Sequence, residues 1–251
     1  MKSRLRRREF LKLGGAGLAG VVLAASGCGG EAEREEGRVE TVASEPKETD
    51  GLRESLEIST SRGTVSGVLH SVEEARGAAV MVGGARGGID GPSDVYEELA
   101  TRLQTAGAAA LRLDYRLPNQ LEECVHDLLA GVEALGQRGV RRVALVGHSF
   151  GGAVVISASA ASDIVVGVAT VASQTSGADA VGELAPAKSL LLIHGTGDTV
   201  LPYELAEDLY ARAGEPKELV LYTDDNHSID GNRQEMLEKL YSWSRELVVD
   251  N

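Results

Sequence analysis

The chain has 251 residues, 43% hydrophobic and 25% charged, which suits one large domain with a buried core and excludes a coiled coil or a wholly disordered chain. Its formal net charge is −13; the first 27 residues hold six of the 25 basic side chains and one of the 38 acids, so 19 basic and 37 acidic residues remain beyond them. Such a body repels phosphate backbones and anionic lipid, which argues against nucleic-acid binding and leaves any membrane attachment to something other than charge.

Taken in chain order, residues 2–12 are basic, Leu13 to Ala25 are apolar or small without a charge, and Ser26, Gly27 and Cys28 follow. That order is the one expected of a secretory signal. The apolar run is about half of the ~20 residues needed to span a bilayer. Arg7-Arg8-Glu9-Phe10-Leu11-Lys12 resembles a twin-arginine export signal, and Ala25-Ser26-Gly27-Cys28 resembles a bacterial lipobox. The two resemblances imply that residues 1–27 are removed after passage through the twin-arginine export machinery. They also imply that Cys28 is lipidated and anchors the protein to the outer face of the bacterial cell membrane. A plain signal peptide that releases a soluble protein is the alternative. Residues 28–50 are expected to form a disordered, acidic tether, because Glu31 to Asp50 offers almost no large apolar side chain to bury. The folded domain is then 51–251.

Ser55 to Thr60 and Thr64 to Leu69 alternate as a hairpin broken at Gly63. Ala78 to Val82 is a short apolar run, as in a strand buried on both faces. Gly83 to Gly91 reads as a loop, and Val95 to Ala106 as a helix whose Val95, Leu99, Leu103 and Ala106 share one stripe. Strands are then predicted at Ala108–Leu113, Arg142–Val146, Ile164–Val171, Leu190–His194 and Leu219–Tyr222. Helices are predicted between and after them at Leu121–Leu135, Gly152–Ala160, Tyr203–Ala213 and Arg233–Leu247. Regular alternation implies right-handed parallel βαβ units. The expected architecture is α/β: a mostly parallel sheet of about eight strands with helices on both faces. Cys124, inside a predicted helix, is expected to be a buried hydrophobe rather than half of a disulfide.

Ligands in such sheets bind beyond the carboxyl ends of the strands, so the residues just after each apolar run matter most. Val143 to Val146 runs into Gly147-His148-Ser149-Phe150-Gly151. A serine between glycines at ±2, on a strand-to-helix turn, has its hydroxyl lifted clear of the sheet, so Ser149 is the candidate nucleophile. A hydroxyl needs a base. His227 follows the last strand in a polar loop; His70, His126 and His194 are worse placed, and His148 is expected to be structural. The base needs an orienting acid, and Asp198 sits in a Gly-rich turn past Leu191-Leu192-Ile193, with Asp179 as its rival. Asp224 and Asp225 read as solvated loop residues. The backbone amides of Phe150 and Ala85 are the candidate oxyanion donors, with Gly84 next after Ala85. Arg86 is expected in a structural salt bridge, with a substrate carboxylate or phosphate as its other use, and Asp114 as a loop brace.

Gly83-Gly84-Ala85, Asp114-Tyr115-Arg116, the serine elbow, Gly197-Asp198 and His227 together resemble the α/β-hydrolase superfamily, especially its small members similar to dienelactone hydrolases and short-chain esterases. The resemblance implies a serine hydrolase with little or no cap, since only about 17 residues separate Val171 from Ser189. It implies a small-molecule ester substrate with a small or medium acyl group, no metal and no cofactor. Dienelactone hydrolases proper use cysteine where this chain has Ser149, so their substrate does not carry over. Competing readings are a cell-surface binding protein without turnover, and a thioesterase or peptidase using the same three side chains.

Overall fold

The structure, a computed structural model, describes residues 41–50 as backbone and residues 52–250 in full. The predicted signal at 1–27, Cys28 and the first part of the tether lie outside the described residues. Nine strands form one sheet in the order β1-β2-β3-β5-β4-β6-β7-β8-β9. β2 (Arg53–Thr60) and β3 (Gly63–His70) are the expected hairpin, and β3 pairs antiparallel with β5 (Ala109–Leu113). From β5 onward the pairing is parallel, through β4 (Gly77–Val82), β6 (Arg142–His148), β7 (Val165–Val171), β8 (Ser189–Gly195) and β9 (Lys217–Tyr222).

One expectation fails. Thr41–Asp50, assigned to the disordered tether, is strand β1, paired antiparallel with β2 from Thr41 opposite Thr60 to Asp50 opposite Arg53. The composition argument asked whether these side chains could bury apolar area. An edge strand needs only a partner's free backbone groups. The register shifts between Pro46 and Glu48, where a proline without an N–H is tolerated. Among the described residues the sheet therefore has nine strands, against the expected number of about eight.

Among the described residues five α-helices cover it. α2 (Leu121–Gln137), α3 (Phe150–Ser159) and α4 (Glu204–Arg212) pack on one face, against Val80, Val82, Leu145, Leu190 and Leu192. α1 (Tyr96–Thr105) and α5 (Arg233–Val248) pack on the other, against Ala79, Met81, Val146, Leu191 and Ile193. The split follows from strand geometry, since successive residues of one strand point to opposite faces. β4 and β6 are adjacent, yet the chain leaves β4 toward α1 and leaves β6 toward α3, on opposite faces. That divergence opens a crevice at their carboxyl ends. Between β7 and β8 the chain makes a short 3-10 turn, Asp179–Glu183, and no cap helix. Among the described residues no helix is long and apolar enough to cross a membrane.

Candidate active site

Ser149 stands at the crevice between β4 and β6. Its backbone has φ 55° and ψ −120°, a conformation that side-chain-bearing residues seldom adopt and that marks a strained elbow. Two close approaches explain the flanking glycines. A Cβ on Gly147 would lie 2.2 Å from the carbonyl oxygen of Gly151, and one on Gly151 would lie 2.3 Å from that of Gly83. The sharp turn into α3 is closed by the first absence, and its seating against the loop after β4 by the second.

His227 Nε2 lies 2.9 Å from Ser149 Oγ, and His227 Nδ1 lies 2.7 Å from Asp198 Oδ2. Asp198 is fully buried in its side chain, and Oδ1 accepts from the amides of Val200 and Leu201 at 2.7 and 3.0 Å. Burial pushes this carboxyl upward, but the hydrogen bonds from His227, Leu201 and Val200 together outweigh it and hold it below its ordinary value. It is therefore ionised near neutrality and accepts only. Nδ1 of His227 carries the proton, and Nε2 is left bare to accept from the serine hydroxyl. The arrangement can withdraw a proton from Ser149 and stabilise the resulting imidazolium.

The loop carrying His227 is tied down at several points. Asp225 is buried, and its carboxylate accepts from the amides of Asn226, Gly231 and Asn232 at 2.8–3.0 Å and from the Asn232 side chain at 2.8 Å. It is a loop organiser, not the solvated residue its polar surroundings suggested; four donors converge on it because the loop folds around it. Asp224 is exposed. His148 Nε2 donates to the carbonyl of His227 at 3.1 Å, with the two rings 4.9 Å apart. Burial, then the neighbouring His227, lowers the His148 value to about 4, so it stays neutral.

The loop after β4 borders the nucleophile, since a Cβ on Gly84 would lie 3.4 Å from Ser149 Cβ. Ala85 and Arg86 form the exposed corner of a turn closed by the Gly87 amide on the Gly84 carbonyl at 3.0 Å. Asp114 Oδ1 accepts from the amides of Gly88 (2.8 Å) and Tyr115 (2.9 Å), the brace expected of it. Tyr96 and Tyr115 donate their hydroxyls to the carbonyls of Val82 and Gly83 at 3.1 and 3.3 Å. Phe150 opens α3, so its amide has no acceptor within the helix. Arg86 forms no salt bridge among the described residues, against expectation; it stands at the exposed tip of that turn. Arg116 instead holds Asp127 and Glu123. Asp179, the rival acid, is exposed and faces Arg212 at 3.5 Å. Cys124 is buried and free, as expected. Sequence reasoning set His194 aside, yet its Nε2 is 3.1 Å from Asp198 Oδ2. The available signal was a histidine ending the apolar run of β8. Among the described residues no cluster of three or more side chains could hold a metal ion.

No protein-family model matches the chain. An uncharacterised Escherichia coli protein, YfhR, is 53% identical over 38 residues, a stretch covering 15% of this chain and 13% of that relative. Among solved structures, dienelactone hydrolase from Anabaena variabilis superposes with a TM-score of 0.69 at 19% identity, covering 78% of this chain and 98% of that one. A lidless α/β serine hydrolase from Xanthomonas campestris gives 0.65 at 19% identity, covering 80% and 97%. The esterase domain of a Rhodothermus marinus protein gives 0.63 at 19% identity, covering 78% and 99%. These likenesses establish the α/β-hydrolase fold.

Proposed function

We propose that this protein is a serine hydrolase that cleaves carboxylic esters of small or medium acyl groups through an acyl-serine intermediate. One observation carries the reading: the unbroken hydrogen-bond chain from Ser149 Oγ through both nitrogens of His227 to Asp198. A binding protein has no need of that chain. Ser149 Oγ attacks the ester carbonyl carbon while His227 Nε2 takes its proton. The negative oxygen that forms is met by the amides of Phe150 and Ala85. His227 then gives the proton to the departing alkoxide, which leaves as an alcohol. Water, deprotonated by His227 in turn, attacks the acyl-serine and releases the acid. Asp198 stabilises the imidazolium in both halves, and the cycle calls on no metal or cofactor.

The absence of a cap helix between β7 and β8 leaves the rim open, which supports soluble substrates with short acyl chains. A thioester would fit the same chemistry. The test is fluorophosphonate labelling of the folded protein followed by a panel of aryl esters of increasing acyl length. Labelling at Ser149 with turnover fastest on short acyl groups is expected; no label on Ser149 in folded protein refutes the proposal. For the cellular address, the basic, apolar and Cys28-ending order of the N-terminus supports twin-arginine export and a lipid on Cys28. Mass spectrometry of the mature N-terminus decides, with an unmodified start as the contrary outcome.

A further inference from the structure

Asp198 Oδ2 faces two histidines, and the proposed cycle employs one. The other, His194, is the next-to-last residue of β8 and is fully buried. Its Nε2 lies 3.1 Å from Asp198 Oδ2 and 3.0 Å from the carbonyl oxygen of Leu201. A carbonyl only accepts, so Nε2 carries the proton and Nδ1 is bare. That Nδ1 is buried without a hydrogen-bond partner, a costly condition for a polar atom. Residues two apart on a strand share a face, so His194 continues the stripe of Leu190 and Leu192. An apolar side chain would complete that stripe with no orphaned nitrogen. What the imidazole adds is one N–H, aimed at the carboxylate.

The other donors to Asp198 do not tie it to the sheet. The amides of Val200 and Leu201 belong to its own turn, and His227 belongs to the separate loop after β9. Among the described residues Asp198 pairs with no lysine or arginine; its ion-pair partners are the two histidines. His194 alone reaches it from a hydrogen-bonded strand. Groups held by sheet strands are placed more accurately than groups held by loops.

We propose that His194 is a positioning residue: its Nε2–H locks the Asp198 carboxylate in the orientation that presents Oδ2 to His227. This rests on the catalytic reading of Ser149, His227 and Asp198. The experiment compares wild type, His194→Met, which has similar reach and no donor, and His194→Gln, whose amide nitrogen lies near the place of Nε2. Each is assayed for kcat and KM on p-nitrophenyl acetate and for the rate of fluorophosphonate labelling at Ser149. The methionine variant is expected to lose about tenfold or more in kcat with KM nearly unchanged, and glutamine to recover most of the loss. Wild-type kcat in the methionine variant, or a glutamine variant no better than methionine with both folded, overturns the proposal. If both variants unfold, ¹⁵N-histidine spectra of wild type and Asp198→Asn decide. The expected spectrum has the His194 proton on Nε2, with a resonance that moves on the Asn substitution. A proton on Nδ1, or a resonance that stays put, overturns it. Wild type that resists labelling removes the catalytic reading itself, while the spectra still report on the His194–Asp198 bond.

Discussion

Replacing Gly151 by alanine perturbs the contact between the nucleophile helix and the loop after β4. The new Cβ would stand 2.3 Å from the Gly83 carbonyl oxygen and 3.2 Å from both the Tyr115 hydroxyl and the Val82 carbonyl oxygen. Restoring an ordinary contact requires the start of α3 and Gly83 to separate by about 1 Å, because both sides are backbone. Overpacking of this kind costs about 1–3 kcal/mol, or about 2–12 °C in Tm for a domain of this size. The same displacement moves Ser149 and the Phe150 amide relative to Gly84, which predicts about a hundredfold loss in ester turnover. Gly136→Ala is the control: its Cβ would meet only Ile164 Cδ1 at 3.6 Å, so Tm should stay level or rise slightly. Differential scanning fluorimetry and an aryl-ester assay on both variants read the two effects. Gly151→Ala with wild-type Tm and turnover would show that α3 does not rest on Gly83, and the account of the elbow would fall.

Asp198→Asn should remain folded yet lose about 10³–10⁴ in kcat, because a neutral amide neither fixes the His227 tautomer nor stabilises the imidazolium; steady-state kinetics check it. Burial lowers His70, with help from Arg112, and also lowers His148, each to about 4 from 6.5. The unfolded chain protonates them below about pH 6.5 and the fold resists until about 4, so stability falls as pH drops through that window and levels off below it. Each contributes up to about 3 kcal/mol. Urea melts from pH 7 to 4 should show the decline, and His70→Phe should flatten part of it; an unchanged slope would contradict the assignment. Asp127→Ala takes the buried one of two carboxylates from the nearly buried Arg116, whose backbone amide and side chain both bond to Asp127, and leaves Glu123 in place. A loss of about 1.5–3 kcal/mol in denaturant melts is expected, because the guanidinium keeps one carboxylate.

Much of this molecule was legible in its residues. Short apolar runs and 3.6-residue stripes fall within a few positions of the observed strands and helices, because each element buries a face whose period the sequence states directly. Ser149, His227 and Asp198, which the structure joins by hydrogen bonds, could be singled out as candidates since each follows a strand, and loops after parallel strands converge on one rim. β1 was missed because edge pairing draws on backbone, which carries no compositional signature. Asp225 was misjudged for a related reason: its four donors come from residues up to seven positions onward, and only the folded loop brings them round. His194 carries no such signal: it ends a strand, badly placed for a base, and its contact is with Asp198 instead.

The direction in which the chain enters the fold has a practical side. Thr41 pairs with Thr60 beside the hairpin turn, and that turn extends past Gly67, which faces Leu113 at the carboxyl end of β5. The polypeptide thus arrives at the rim that bears Ser149. Val248, at the far end, packs against Gly77, the first residue of β4, on the opposite rim. A surface coupled at the carboxyl terminus would therefore leave the open crevice facing the bulk solution.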